Sequence, residues 1–295
     1  MTGGLAAWLG RPQPLDPVHD PGPELRAQVR RLEIRARQAM EAGLAGQYQS
    51  AFRGRGLEFE EVREYRSGDD VRTIDWNVTA RTGELHVKRF REERDLTVLL
   101  LVDLSASTRS GSGVMTVHDL IAEVSSLFAL AAARRDRIGA VLFDDQIRRV
   151  IPPRLGWRHG LRVVREVLGA VPAGRGTALG EAVRAAGRLL HRRGVVVAVV
   201  DATCPIPRRE LVALGGRHEA VLVRVADPLS DTATEVGALP AVDAESGHRG
   251  TLLDRMPARL EAAPPGIDVV NLDTASDYLP AVRAMLETRE RRRAR

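Results

Sequence analysis

Two apolar runs, Leu96–Val102 with Thr97 as its one polar residue and Val195–Val200, each stop at an aspartate, Asp103 and Asp201. A strand that is apolar at every position has both faces covered, which confines it to a sheet flanked by helices. Ile138–Phe143, Ala220–Val225 and Ile267–Leu272 are further strand-sized runs, and Arg148–Ile151 follows a turn at Asp144-Asp145. Helical stripes lie between them: Val117, Leu120, Ile121, Val124, Leu127, Phe128 and Ala131; then Leu161, Val164 and Leu168; then Leu179, Val183, Ala186 and Leu190. This alternation predicts an α/β fold with a doubly wound, mostly parallel sheet. Ala241–Asp243 and Thr251–Leu253, around Ser246-Gly247, read as a hairpin.

Composition narrows the function classes. With 44% hydrophobic and 28% charged residues, the 295-residue chain is globular rather than disordered. Its one cysteine, Cys204, excludes an internal disulfide and a Cys-rich zinc site. No apolar run approaches the ~20 residues of a membrane helix. Pro12, Pro14, Pro17, Pro21 and Pro23 interrupt the start of the chain, where a signal peptide would need an apolar core. A soluble, cytoplasmic protein is expected. The sequence pI is about 10.2, and all but one of the 44 basic residues, Lys88, are arginine. They are interspersed with 39 acidic residues and lack an aromatic stacking platform, so nucleic acid is not the expected partner.

Four segments follow from these patterns. Residues 1–44 read as an arm and a helix, the latter carrying Leu25, Val29, Leu32, Ala36 and Met40 at helical spacing. Residues 45–95 hold six of the eleven aromatics and alternate around Leu57–Phe59 and Leu85–Val87, which predicts a small β-rich module. Phe59, Tyr65 and Trp76 are its expected core, and Arg63, Arg66, Arg72 and Arg81 are candidates to face a partner. Residues 96–290 form the α/β domain. Residues 291–295 are a basic tail, expected to be a solvated helix end.

In an open parallel sheet, ligands sit beyond the carboxyl ends of the strands. Asp103-Leu104-Ser105-Ala106-Ser107 follows one buried run and Asp201 another, while Gly174-Arg175-Gly176-Thr177 opens a helix. The loops thus offer two carboxylates and three hydroxyls, an all-oxygen set that suits a hard cation such as Mg²⁺. The competing explanation is that Asp103, Ser105 and Thr177 merely cap helix starts, as these residue types often do. Ser105 stands where a dehalogenase-like phosphatase would place a second aspartate, and neither His118 nor His159 has a spaced partner, which disfavours hydrolysis.

Asp103, Ser105, Ser107, Thr177 and Asp201 resemble the five positions of the metal-ion-dependent adhesion site of von Willebrand factor A domains. Gly54-x-Gly56-x-x-Phe59, then Arg63-Glu64-Tyr65-Arg66-Ser67-Gly68-Asp69-Asp70-Val71-Arg72-Thr73-Ile74-Asp75-Trp76 and Ala80-Arg81, resemble the signature of bacterial domain-of-unknown-function family 58. In that family the signature is joined to a von Willebrand A-like domain, and the resemblance spans residues 45–290. It implies a non-enzymatic adaptor with Mg²⁺ (Mn²⁺ as the alternative) held at the five positions. An open coordination place would accept an acidic side chain of a partner. It also implies cooperation with a MoxR-type AAA+ ATPase in chaperone-like assembly of client proteins. A metal-dependent hydrolase and a nucleic-acid-binding protein are the alternatives. Two departures from the adhesion pattern are the loop Thr108–Gly113 after Ser107 and Ala202-Thr203 after Asp201.

Overall fold

A computed structural model describes residues 22–52, 57–92, 96–111, 115–172, 174, 176–228, 239–242, 249–252 and 262–294. Most of the expected N-terminal arm lies outside them. The chain forms two compact units, one of Met1–Phe52 with Leu96–Arg295 and one of Arg53–Asp95.

The larger unit is built on six strands: β3 (Thr97–Asp103), β4 (Arg137–Phe143), β5 (Ile147–Arg154), β6 (Val195–Asp201), β7 (Glu219–Ala226) and β10 (Ile267–Asp273). Their order is β10-β7-β6-β3-β4-β5. All neighbours are parallel except β5, which turns back antiparallel along β4. The doubly wound, mostly parallel expectation is therefore met, with β3 and β6 adjacent at the centre. The expected hairpin is β8 (Leu239–Val242) paired antiparallel with β9 (Arg249–Leu252).

Strand alternation divides the core in two. Val98, Leu100 and Val102 of β3 face one side, with Val195, Val197 and Val199 of β6. Over them lie α1 (Pro23–Ala39), α2 (Ala45–Phe52), α4 (Val117–Ala132), α5 (Trp157–Leu168) and α8 (Leu279–Ala294). Leu99 and Leu101, with Val196, Ala198 and Val200, face the other side under α6 (Leu179–Leu189) and α7 (Arg208–Gly215). Helix α4 is buried almost throughout and is started by a capping box in which Thr116 and Asp119 satisfy each other's backbone N–H groups.

One expected boundary moves. A π turn, Met40–Leu44, with Gly43 at φ 99°, redirects the chain from α1 into α2. Tyr48, Ala51 and Phe52 of α2 are buried in the larger unit, where α2 packs on α8. Residues 45–52 thus belong to the α/β body, and the small unit begins at 53. The described part of the basic tail, Arg291–Arg293, is exposed as expected, but the end of the helix is also held by ion pairs. Arg289 pairs with Glu219 at 2.6 Å and with Asp268, Arg292 pairs with Asp268 at 2.6 Å, and Arg293 pairs with Glu219. The Arg289 guanidinium also lies 4.8 Å from the Phe52 ring centroid. Helix α8 is thereby tied to the entry end of the sheet.

The small unit has one antiparallel pair, β1 (Leu57–Glu64) and β2 (His86–Glu92), with an irregularity between Phe59 and Glu61. Between them lie a 3-10 turn (Val71–Thr73) and α3 (Trp76–Thr82). Asp75 caps α3 by accepting from the Asn77 and Val78 amides. Trp76, expected in the core, is 67% exposed because it sits on the first turn of that capped helix. Tyr65 is half-buried. The surroundings of the Phe59 side chain fall outside the described residues.

A candidate metal centre at the carboxyl rim

Each parallel strand of the sheet ends at an aspartate: Asp103 on β3, Asp144 just after β4, Asp201 on β6, Asp227 just after β7 and Asp273 on β10. Most are engaged locally. Asp227 accepts from the Thr274 hydroxyl at 3.0 Å, and Asp273 accepts from the Ala275 amide at 3.0 Å. Asp144 pairs with Arg148 at 2.6 Å.

Asp103 differs. It is fully buried, and no described arginine, lysine or histidine forms an ion pair with it. One carboxylate oxygen accepts from the Ser105 amide at 2.8 Å, the other from the Asp201 amide at 3.3 Å. These bonds stabilise the charged form, yet burial, with the Asp201 charge adding to it, pushes the carboxyl up to about 6. Among the described residues, the site holds a buried negative charge with no countercharge.

The hydroxyls beside it are not capping hydroxyls. Ser105 stands before the 3-10 turn Ala106–Arg109 but makes no side-chain cap. Its Oγ lies 3.0 Å from the Oγ of Ser107, so the 3-10 turn that contains Ser107 brings the two hydroxyls together. Thr108 closes the loop by donating to the Ser105 carbonyl at 2.7 Å. Helix α6 starts after Ala178, not Thr177, and no hydrogen bond of the Thr177 hydroxyl is found among the described residues. The helix-cap explanation therefore fails for Ser105 and Thr177. It holds in part for Asp103, whose bond to the Ser105 amide is a local turn.

Backbone bonds bring the second loop to the first. Ser105 bridges to Gly174, and the Ala106 amide donates to the Gly174 carbonyl at 3.0 Å. The third loop is set by Asp201, which accepts from both the amide and the hydroxyl of Thr203 at 2.8 and 2.9 Å. Thr203, a departure from the adhesion pattern, thus orients the Asp201 carboxylate through one oxygen, and no hydrogen bond to the other is found among the described residues.

Asp144 is the rim residue that sequence reasoning missed, having been read as turn. It is buried, its carbonyl accepts from the Ala178 amide at 2.6 Å, and a Cβ on Gly174 would come within 2.3 Å of it. It braces the loop that carries Thr177. The signal was available: it follows a buried strand as Asp103 and Asp201 do.

Among the described residues no three His, Cys, Asp or Glu side chains converge in metal-binding geometry. A cation here would rest on two carboxylates and three hydroxyls, a set of hard oxygens that fits Mg²⁺ and leaves its charge under-compensated. Of the candidate partner-facing arginines, Arg63 is half-buried and engaged within its own unit. It grips both oxygens of Asp69 at 2.8 and 2.7 Å and holds that carboxyl near 2. Arg66, Arg72 and Arg81 are exposed.

The six-stranded sheet and its rim define a von Willebrand A-like α/β domain carrying a small appended unit. The chain belongs to the family described as "Protein of unknown function DUF58", whose model matches residues 61–263. Uncharacterized proteins Rv1480 of Mycobacterium tuberculosis and Mb1516 of Mycobacterium bovis are each 35% identical over 229 residues, covering 76% of this chain and 72% of theirs. Among solved structures, BatB from Bacteroides thetaiotaomicron covers 66% of this chain and 99% of its own, at 15% identity and a TM-score of 0.47. The SpRpn10 VWA domain covers 66% and 95%, at 11% identity and a TM-score of 0.39. No described helix is long and apolar enough to cross a membrane.

Proposed function

We propose that the protein is a non-enzymatic, metal-dependent adaptor that captures a protein partner at the carboxyl rim of its sheet. One observation carries this reading: a buried Asp103, with no ion-pair partner among the described residues, stands beside the Ser105 and Ser107 hydroxyls, which lie 3.0 Å apart, and Ser105 makes no side-chain cap. Ser105, Ser107 and Thr177 would hold the ion through their hydroxyls, and Asp103 and Asp201 through their carboxylates. When bound, Mg²⁺ (or Mn²⁺) supplies positive charge with a free coordination place for an acidic side chain of the partner. The chain's own part is to keep the loops fixed and the ion lightly neutralised. Asp103 is locked by two amides, Asp201 by Thr203, and the Thr177 loop by Gly174 and Asp144.

The partner class follows from the family resemblance: a MoxR-type AAA+ ATPase, together with client proteins that it helps to assemble. The test is a pull-down with the full chain as bait, in Mg²⁺ and in EDTA, read by mass spectrometry. Capture of an AAA+ ATPase or client in Mg²⁺ is expected. Chelation, Ser105→Ala and Thr177→Ala should each abolish it without changing the melting curve of the metal-free protein. Equal capture under all these conditions would overturn the reading.

A further inference from the structure

Away from the rim, helices α6 and α7 flank a cleft of about 410 Å³. Its apolar lining comes from Val183 of α6 and Leu214 of α7. Gly187 of α6 also lines it, and a Cβ there would meet nothing within 4 Å, so the missing side chain helps to open the cleft. Around it stand Arg184, Arg188, Arg209 and Arg217. Glu210 is the one carboxylate among the lining residues, and it pairs with Arg184 at 2.9 Å. The lining thus sets four guanidinium groups against one carboxylate, with Arg184 held by Glu210 and Arg188 also engaged.

His218 completes the lining and is only 3% exposed, yet neither ring nitrogen has a hydrogen-bond partner. A buried imidazole without partners costs free energy unless something enters to meet it. Burial first, and then the charges of Arg217 and Arg193, lower its proton affinity. The ring is therefore neutral at pH 7, with one N–H to donate.

We propose that this cleft binds a small organic phosphate of mononucleotide size. Guanidinium groups match phosphate oxygens with paired N–H donors, and several converging on one cleft favour a multiply charged oxyanion. The apolar lining calls for a ligand with a non-polar body as well, which inorganic phosphate lacks. The volume falls in the range of small-molecule sites, roughly 300–1,000 Å³. An acidic protein segment fits less well. At eight residues, α7 offers a wall only about 12 Å long, short for the ~800 Å² per partner of a stable protein interface.

The experiment is isothermal titration of the full chain with AMP, inorganic phosphate and hexaglutamate, all in EDTA so that the metal rim takes no part. AMP is expected to bind at one site and more tightly than inorganic phosphate. Arg209→Ser with Arg217→Ser should weaken AMP by about tenfold or more. Gly187→Leu, which keeps every arginine but fills the cleft, should abolish AMP binding while leaving the protein folded by circular dichroism. The proposal is overturned if AMP gives no saturable heat up to about 5 mM. It is equally overturned if Gly187→Leu binds AMP as the parent does, or if hexaglutamate binds more tightly than AMP.

Discussion

In metal-free protein at pH 7, Asp103→Asn is expected to raise stability; in excess Mg²⁺ the order is expected to reverse. The first sign comes from the raised carboxyl, at about 6 against an ordinary 3.8. A carboxylate whose folded value lies above its unfolded value destabilises the fold whenever it is charged. That cost is complete above about pH 6 and disappears as pH falls toward 4. A shift of about two units corresponds to about 3 kcal/mol. Asparagine removes the charge but offers one carbonyl oxygen to the Ser105 and Asp201 amides that now share two, a loss of about 1–2 kcal/mol. The net gain at pH 7 is therefore about 1–2 kcal/mol, or roughly 2–4 °C in Tm for a chain of this size. The second sign comes from mass action: at 100 times its Kd, Mg²⁺ stabilises the parent by about 2.7 kcal/mol, and the variant gains little. Thermal unfolding followed by circular dichroism, in EDTA and in MgCl₂ from pH 7 to pH 4, reads both. If the variant is the less stable protein in EDTA, with a gap indifferent to pH, Asp103 is an ordinary structural acceptor. A parent unmoved by Mg²⁺ and Mn²⁺ would refute the metal centre itself.

Phe52→Ala should cost about 3–5 kcal/mol in urea unfolding, as for a fully buried aromatic; a loss below about 1 kcal/mol would remove α2 from the core. Gly174→Ala has no room beside Asp144, so it should cost about 1–3 kcal/mol or more and weaken Mg²⁺ uptake in calorimetry. An unchanged melting curve and unchanged uptake would show that the loop is not braced there. Asp69 is held near 2 by Arg63, so its contribution to the small unit is present above about pH 4 and is lost as pH falls through about 2. Arg63→Ala should return the Asp69 carboxyl toward 3.8 in an NMR titration, and a value still near 2 would contradict the pairing.

The sheet was legible because its central strands, β3 and β6, are apolar almost throughout, a pattern that two-sided burial explains. The rim was legible because Asp103, Ser105 and Ser107 are close in sequence and follow such a strand. What escaped depends on long-range packing. Tyr48 and Phe52 lie next to the aromatic signature, but the partner of their helix is α8, more than 200 residues away. The ion pairs of Arg289, Arg292 and Arg293 do not show in the sequence, because their partners Glu219 and Asp268 stand on β7 and β10. Asp144 looks like one half of a turn, because its burial comes from the approach of Gly174 on another loop. Trp76 was misread because an aromatic in a short segment suggests a core, whereas its place on the first turn of α3 leaves it in solvent.

The register of the small unit bears on how the larger one assembles. Leu57 and Glu92 are direct partners across β1 and β2, so the chain enters and leaves this ribbon on adjacent backbone. Once that ribbon zips, the span still to be closed shrinks roughly sixfold, saving about 1.5 kcal/mol of chain entropy. A ribbon that forms early would bring α2 and β3 within reach of each other, so the inserted unit can serve as a folding clamp for a body it interrupts.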